Sequence, residues 1–318
     1  MSFSSEVKEE LYGHIGASRH CQIAEIAAIV DAAGLVKADE KGNLVLYLQD
    51  DNALVVRKFF TLLKKAFNIG NSTFAGNDDY RSQGRIYKPI LADQDKIRQV
   101  LGAIRMIDEN DIVRDPNEGI SPMVTRNSCC KRAFLRDSFL CLGSISDPNK
   151  GYHLEYVCDR EVQALALKEM IESFEIEARI VRRKKYFVLY FKEGAGIVDL
   201  LNIMEAPVSL MNLENLRIVK EMRNSINRSV NCEVANMAKT INAATKQIED
   251  ITYIRDHYGF DKLQPILREM AEVRLENPDT TLLELGKLLD PPVGKSGVNH
   301  RLRKLSDLAD KIRGSEFG

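Results

Sequence analysis

The sequence has almost no net charge. Its 45 lysines and arginines are matched by 46 aspartates and glutamates, leaving −1 over 318 residues. A broad positive field that would draw in nucleic acid is therefore absent, and any contact with DNA must come from local patches. No uncharged apolar run approaches the roughly 20 residues needed to cross a bilayer. The opening MSFSSEVKEEL is charged within its first turns and lacks the apolar stretch of a signal peptide. These absences predict a soluble, cytoplasmic protein without a membrane partner. Six cysteines are present, Cys21, Cys129, Cys130, Cys141, Cys158 and Cys232, and none stands in a C-x-x-C pair. Several lie among apolar residues at helical positions. Buried, reduced thiols are expected, with no metal and no cofactor.

The chain does have ample apolar material, 44% of its residues, and a length suited to two or three domains. One stretch organises it: Ile26 to Gly34, IAAIVDAAG. Ala24, Ala28 and Ala32 fall four apart and share one helical face, which lets a partner helix approach closely. The stretch has an echo in LRDSFLCLG, Leu135 to Gly143, and the two final glycines stand 109 residues apart. The order downstream also repeats, each copy reading helix, hairpin, helix, hairpin, helix from about Ser18 to Met204. Before it, Ser5 to Ile15 reads as a short helix capped by Ser5. In the first copy a polar hairpin is expected around Asp78 to Gly84, and a helix from about Asp93 to Ile107. Asp108 to Pro122 connects the copies. Asp159 opens the second helix of the second copy, and Gly194 to Met204 closes it with a helix shorter than its counterpart. Two copies in one chain predict a built-in dimer, monomeric off DNA.

Both nonamers resemble the helix motif that names the LAGLIDADG homing endonucleases. In that family two such helices pack at the centre of a pseudo-twofold saddle, and the eighth residue of each motif is an acid that holds a divalent metal. Here the eighth positions are Ala33 and Leu142, and neither offers the oxygen a hard cation needs. Asp31 lies about 200° round the helix from Ala33. The resemblance thus implies a nuclease scaffold with no catalytic residues. It departs from the motif at Asp137, the third position of the second nonamer, where the family has Gly. A carboxylate there needs a partner if it is buried.

After Pro207 the character becomes all-helical, and Leu213 to Tyr258 contains neither Gly nor Pro. Asn224, Arg228, Asn231 and Asn242 recur on one side. Asparagine disfavours helix interiors, so they read either as a polar helix–helix seam or as a DNA-facing or domain-coupling surface. Leu263 to Leu275 is a further helix. Thr280 or Thr281 then caps a short one, Asp290 to Gly294 makes a turn, and KSGVNHRLRKLSDLADKI follows. Val298, Leu302 and Leu305 keep core spacing, and from Pro291 to Ser306 there is no acid. Short helix, tight turn and basic second helix describe a helix-turn-helix. The candidate DNA-binding residues are Thr281, Lys295, Ser296, Asn299, His300, Arg301, Arg303 and Lys304. Asn299 and Arg301, with Ser296, are the base-reading types, and Lys295, Arg303 and Lys304 suit phosphate. Arg182, Arg183, Lys184 and Lys185 form a basic tetrad at an expected hairpin tip. It is either a solvated turn or a phosphate contact.

With both halves in view, the chain resembles the WhiA family of bacterial proteins along nearly its whole length. Its most specific stretches are NCEVANMAKTINAA, Asn231 to Ala244, and LDPPVGKSGVNHRLRKL, Leu289 to Leu305. The expected fold is α+β: a tandem αββαββα LAGLIDADG-like pseudo-dimer over 1–212, a helical linker over 213–258 and a helix-turn-helix domain over 259–318. The resemblance implies a nucleoid-associated transcription regulator that binds double-stranded DNA. It ties the family to sporulation septation in filamentous actinomycetes, and to cell division and chromosome segregation in other Gram-positive bacteria. Two rivals remain. One is a metal-dependent nuclease, which Ala33 and Leu142 oppose. The other is an interaction scaffold with a protein partner at the saddle and only secondary DNA contact.

Overall fold

A computed structural model describes residues 2–39, 41–49, 52–70, 80–82 and 85–316. The chain forms two compact units, Met1–Lys220 and Glu221–Gly318. The first opens with α1 (Phe3–Gly13). Ser2 rather than Ser5 caps it, accepting from the Ser5 amide at 3.2 Å. Two copies of one motif follow. The first is α2 (Arg19–Ala33), β1 (Gly34–Ala38), β2 (Leu44–Gln49), α3 (Ala53–Phe67), β3 (Tyr80–Ser82), β4 (Arg85–Leu91) and α4 (Gln94–Ala103). The second is α5 (Ser128–Leu142), β5 (Gly143–Ile145), β6 (Leu154–Cys158), α6 (Glu161–Glu172), β7 (Arg179–Arg183), β8 (Tyr186–Phe191) and α7 (Gly194–Ile203).

The two antiparallel sheets have the same strand order, β1-β2-β4-β3 and β5-β6-β8-β7, so the repeat inferred from the sequence is also a repeat of topology. Two details differ from expectation. The closing helices α4 and α7 are equal, at 10 residues each. Arg160, not Asp159, precedes α6 as its cap residue. Of the hairpin expected around Asp78 to Gly84, residues 78, 79, 83 and 84 lie outside the described residues.

The centre of this unit is the pair α2 and α5. Both are buried on all sides: every residue from Ala24 to Val30 and from Ala133 to Leu140 is buried, the charged Glu25, Arg136 and Asp137 among them. Gly34 and Gly143 end these helices without entering the left-handed region, at φ −87° and −84°. Close approach is what demands glycine. A Cβ on Gly34 would lie 2.5 Å from the Val30 carbonyl oxygen, and one on Gly143 would lie 2.2 Å from Phe139 Cδ2. Because Phe139 is fully buried, Gly143→Ala should cost about 1–3 kcal/mol as an overpacking change. A lower urea midpoint with unchanged m-value is the expected reading.

Four charges are buried within this pair and its neighbours. Asp137 Oδ1 sits 3.0 Å from Lys58 Nζ, with both side chains fully buried. Lys58 also donates to the Leu11 carbonyl at 2.9 Å. Arg136 bridges Glu25 and Glu205. The carboxylate that replaces the motif's glycine thus has its partner on α3, and the two central helices pack beside it. Burial pushes Asp137 up to about 7; Lys58 opposes the shift and Glu25 adds to it.

α8 (Pro207–His257) supplies Leu213 to the core of the first unit, and Ile251 and Ile254 to that of the second. Residues 221–243 are all exposed, Asn224, Arg228, Asn231 and Asn242 among them, so these residues form no polar seam. The second unit continues with α9 (Pro265–Glu276), α10 (Leu282–Lys287) and α11 (Lys295–Glu316). Its core joins Ile251 and Ile254 to Met270, Ala271, Leu285, Leu289, Val298, Leu302, Leu305 and Ala309. No helix among the described residues is long and apolar enough to cross a membrane.

Candidate nucleic-acid interface

Thr281 starts α10 with a full capping box. Its hydroxyl accepts from the Glu284 amide, and Glu284 Oε2 accepts from the Thr281 amide at 3.2 Å and its hydroxyl at 2.8 Å. The hydroxyl is therefore already engaged within the protein. The turn closes through the Val293 amide on the Gly286 carbonyl at 2.8 Å. A Cβ on Gly286 would lie 1.9 Å from the Val293 carbonyl oxygen, so only glycine fits where α10 meets the turn.

The register of α11 decides which side chains are presented. With Val298 as reference, Leu302 and Leu305 fall within about 40° of it, while Ser296, His300 and Arg303 lie about 140–200° away. Val298, Leu302 and Leu305 are buried, and Lys295, Ser296, Asn299, His300, Arg303 and Lys304 are exposed. Arg301 behaves differently from expectation. It lies about 60° from Val298, beside the core stripe. Its side chain is 17% exposed, with Nη1 3.6 Å from Glu269 Oε2 on α9. Glu269 in turn accepts from the Asp290 amide at 2.7 Å. Arg301 thus braces α11 and the turn against α9 and does not stand on the outer face with Asn299.

The basic tetrad is also divided. Strand alternation puts Arg182 and Arg183 on opposite faces of β7. Arg183 pairs with Glu155 at 3.1 Å, and Arg182 lies over the Phe187 ring at 5.8 Å. Lys184 takes a left-handed turn conformation, φ 55°, and Lys185 Nζ lies 5.1 Å from the centre of the Tyr186 ring. Lys184 and Lys185 therefore form the hairpin tip, and Arg183 is partly neutralised by its acid.

A groove beside the ends of α2 and α5 is lined by Ala33, Leu142, Asn52 and Tyr186 among others, and no described lining residue is an acid. Asp31 is bound elsewhere. It accepts from Arg160 at 2.6 Å and Gln163 at 2.7 Å, both from the second copy. Neither motif helix therefore offers a carboxylate where the homing endonucleases hold their metal. Supercoiled plasmid should remain intact with Mg²⁺ or Mn²⁺; metal-dependent nicking that persists through repurification would contradict this.

The cysteines follow expectation only in part. All six are free, but Cys129 and Cys232 are exposed. Among the described residues, one group could ligate a metal: His20, Cys21, Cys129 and Cys130, with ligand atoms all within 4.8 Å of one another. Burial, followed by the neighbouring thiols of Cys129 and Cys130, pushes Cys21 up to about 12. A search for C-x-x-C spacing misses this group. The usable signal was the offset of 109 residues, which relates His20 to Cys129 and Cys21 to Cys130 just as it relates the two glycines.

Comparison with known proteins agrees with this architecture segment by segment. Residues 19–105 match the WhiA N-terminal LAGLIDADG-like domain, 131–223 the WhiA LAGLIDADG-like domain, and 226–309 the WhiA C-terminal HTH domain. A protein of Lachnoclostridium phytofermentans named probable cell division protein WhiA is 49% identical over 313 residues, 98% of this chain and 100% of that one. The chain belongs to the WhiA family. A second WhiA relative, from Lachnospira eligens and named in the same way, is 46% identical across 99% of this chain and 98% of its own. The crystal structure of full-length DUF199/WhiA from Thermatoga maritima matches with a TM-score of 0.57 at 24% identity, covering 98% of this chain and 99% of that one. The fold is therefore that of WhiA: α+β LAGLIDADG-like repeats followed by a helical, helix-turn-helix region.

Proposed function

We propose that this protein is a DNA-binding regulator acting in cell division, the process for which its relatives are named. It reads double-stranded DNA through the outer face of α11 and regulates transcription, with roles in chromosome segregation or sporulation. It works in the cytoplasm on the nucleoid. The observation that carries this reading is the acid-free start of α11, whose apolar stripe is buried while Lys295, Ser296, Asn299, His300, Arg303 and Lys304 are exposed. Asn299 and Ser296 are assigned to base edges, and Lys295, Arg303 and Lys304 to phosphates. Thr281, whose hydroxyl and amide are both engaged by Glu284, is assigned to holding the start of α10 in place beside the DNA. Residues 213–258 serve as the helical link between a nuclease-like domain, 1–212, and the reading domain, 259–318. The saddle, through Lys184 and Lys185, adds affinity with little sequence choice.

Binding of the full chain to genomic and random duplexes over a salt series tests this. Affinity should fall linearly with log salt on both, with a gap between them that salt does not abolish. Equal affinity for every duplex would leave no reading function. The LAGLIDADG-like repeat is a dimer within one chain, so the protein off DNA is assigned as a monomer; sedimentation giving an obligate dimer would contradict this. A second reading, an interaction scaffold, is favoured by one observation: Met222, Ile226, Val230, Val234, Met237 and Ile241 are exposed on α8.

A further inference from the structure

We propose that the N-terminal ends of α2 and α5 form a structural Zn²⁺ site of the three-cysteine, one-histidine type. His20 and Cys21 are the second and third residues of α2, and Cys129 and Cys130 are the second and third of α5. The internal repeat brings equivalent positions of the two copies together at one end of the central helix pair, and those positions carry four ligands. His20 Nδ1 lies 3.2 Å from Cys130 Sγ and 3.4 Å from Cys21 Sγ, and the four ligand atoms all fall within 4.8 Å of one another. In a tetrahedral site with Zn–S about 2.3 Å and Zn–N about 2.0–2.1 Å, neighbouring ligands stand about 3.5–3.8 Å apart. Small side-chain rotations close the remaining gap.

The donor set selects the ion. Thiolates and imidazole suit Zn²⁺ and discriminate against Mg²⁺ and Ca²⁺, which take oxygen. Four protein ligands complete the tetrahedron and leave no position for water or substrate, which makes the site structural. Three thiolates and a neutral imidazole around Zn²⁺ carry one net negative charge, and the site sits where the positive ends of two helix dipoles meet. Cys21 and Cys130 are buried while His20 and Cys129 are exposed, so the ion has a route in from solvent. The site is also separate from the metal position of the homing endonucleases. Ala33 is twelve residues beyond Cys21, about 18 Å along the helix. Its effect would be to tie together helices whose sequence positions are 109 residues apart, at the end of the pair opposite the groove.

Cobalt titration of the reduced, metal-free full chain is the test. One Co²⁺ per chain should bind, giving thiolate-to-cobalt charge-transfer bands and the visible bands of tetrahedral cobalt, both displaced by Zn²⁺. The bands should be lost in Cys130→Ser, weakened in Cys129→Ser and intact in Cys232→Ser. Cys129 is exposed, so its serine variant should fold, as circular dichroism would verify, and should show a smaller rise in melting temperature with Zn²⁺ than the wild type. Absence of tetrahedral bands in the reduced wild type would overturn the proposal. So would bands that persist in a Cys129→Ser/Cys130→Ser double variant. A Cys21–Cys130 disulfide in protein isolated with its thiols blocked at lysis would also overturn it, making the group a redox pair.

Discussion

Replacing Lys58 with methionine should destabilise the first unit by about 3–5 kcal/mol at pH 8, because it leaves the Asp137 carboxylate buried with only the more distant Arg136 Nε, 3.9 Å away, as a cation. The pair is 3.0 Å apart with both side chains fully buried, so water cannot substitute for the lost partner. Lys58→Met/Asp137→Leu should recover most of the loss, since replacing both members of a buried pair with apolar groups is often neutral or better. The cost should also depend on pH. Burial pushes Asp137 up to about 7, against about 3.9 in the unfolded chain. Between those values the folded chain holds a proton that the unfolded chain has released. The stability this contributes is full below about pH 4 and is lost as pH rises through about 7. Asp137→Asn removes the titration, so its stability relative to wild type should rise with pH across this window and level off above it. Lys58→Met should correspondingly cost less at pH 5 than at pH 8. Chemical denaturation at those two pH values checks both statements, and a Lys58→Met cost under about 1 kcal/mol at pH 8 would remove the pair from the account of stability.

Asn299→Ala should weaken binding to the preferred DNA site by about 1–3 kcal/mol and change binding to random DNA much less. Arg301→Ala should do the reverse of what its residue type suggests. It should lower stability by detaching α11 from Glu269 while leaving the ratio of specific to random binding unchanged. Neutralising Lys184 and Lys185 should weaken both kinds of binding and reduce the salt slope by about one unit per lost contact.

The sequence made the repeat legible because both copies keep the same order of helical and alternating patterns, and the sheets have matching strand orders. It made the outer face of α11 legible because Val298, Leu302 and Leu305 fix which side is buried. It did not reveal where side chains lean when they border that stripe. Arg301 is basic and in the right segment, but only its distance to Glu269 shows the inward pairing. The two motif glycines close the nonamers, and their sequence position alone does not say why they must be glycine. They are required by contacts with Val30 and Phe139, which no local propensity reports. The partner of Asp137 came from α3, 79 residues earlier in the chain, which helix periodicity cannot supply. The cysteine–histidine group was missed for a related reason: its spacing is set by the length of the repeat, not by a short motif.

Selection of genomic DNA fragments by the full chain, run side by side with wild type and Asn299→Ala, tests the assignment of the reading surface most directly. Wild type should enrich a small set of fragments sharing a common sequence. Asn299→Ala should lose that enrichment while retaining salt-dependent retention of bulk DNA. If Asn299→Ala enriches the same sequence as wild type, and neutralising Lys184 and Lys185 abolishes it, the reading surface belongs to the saddle and not to α11.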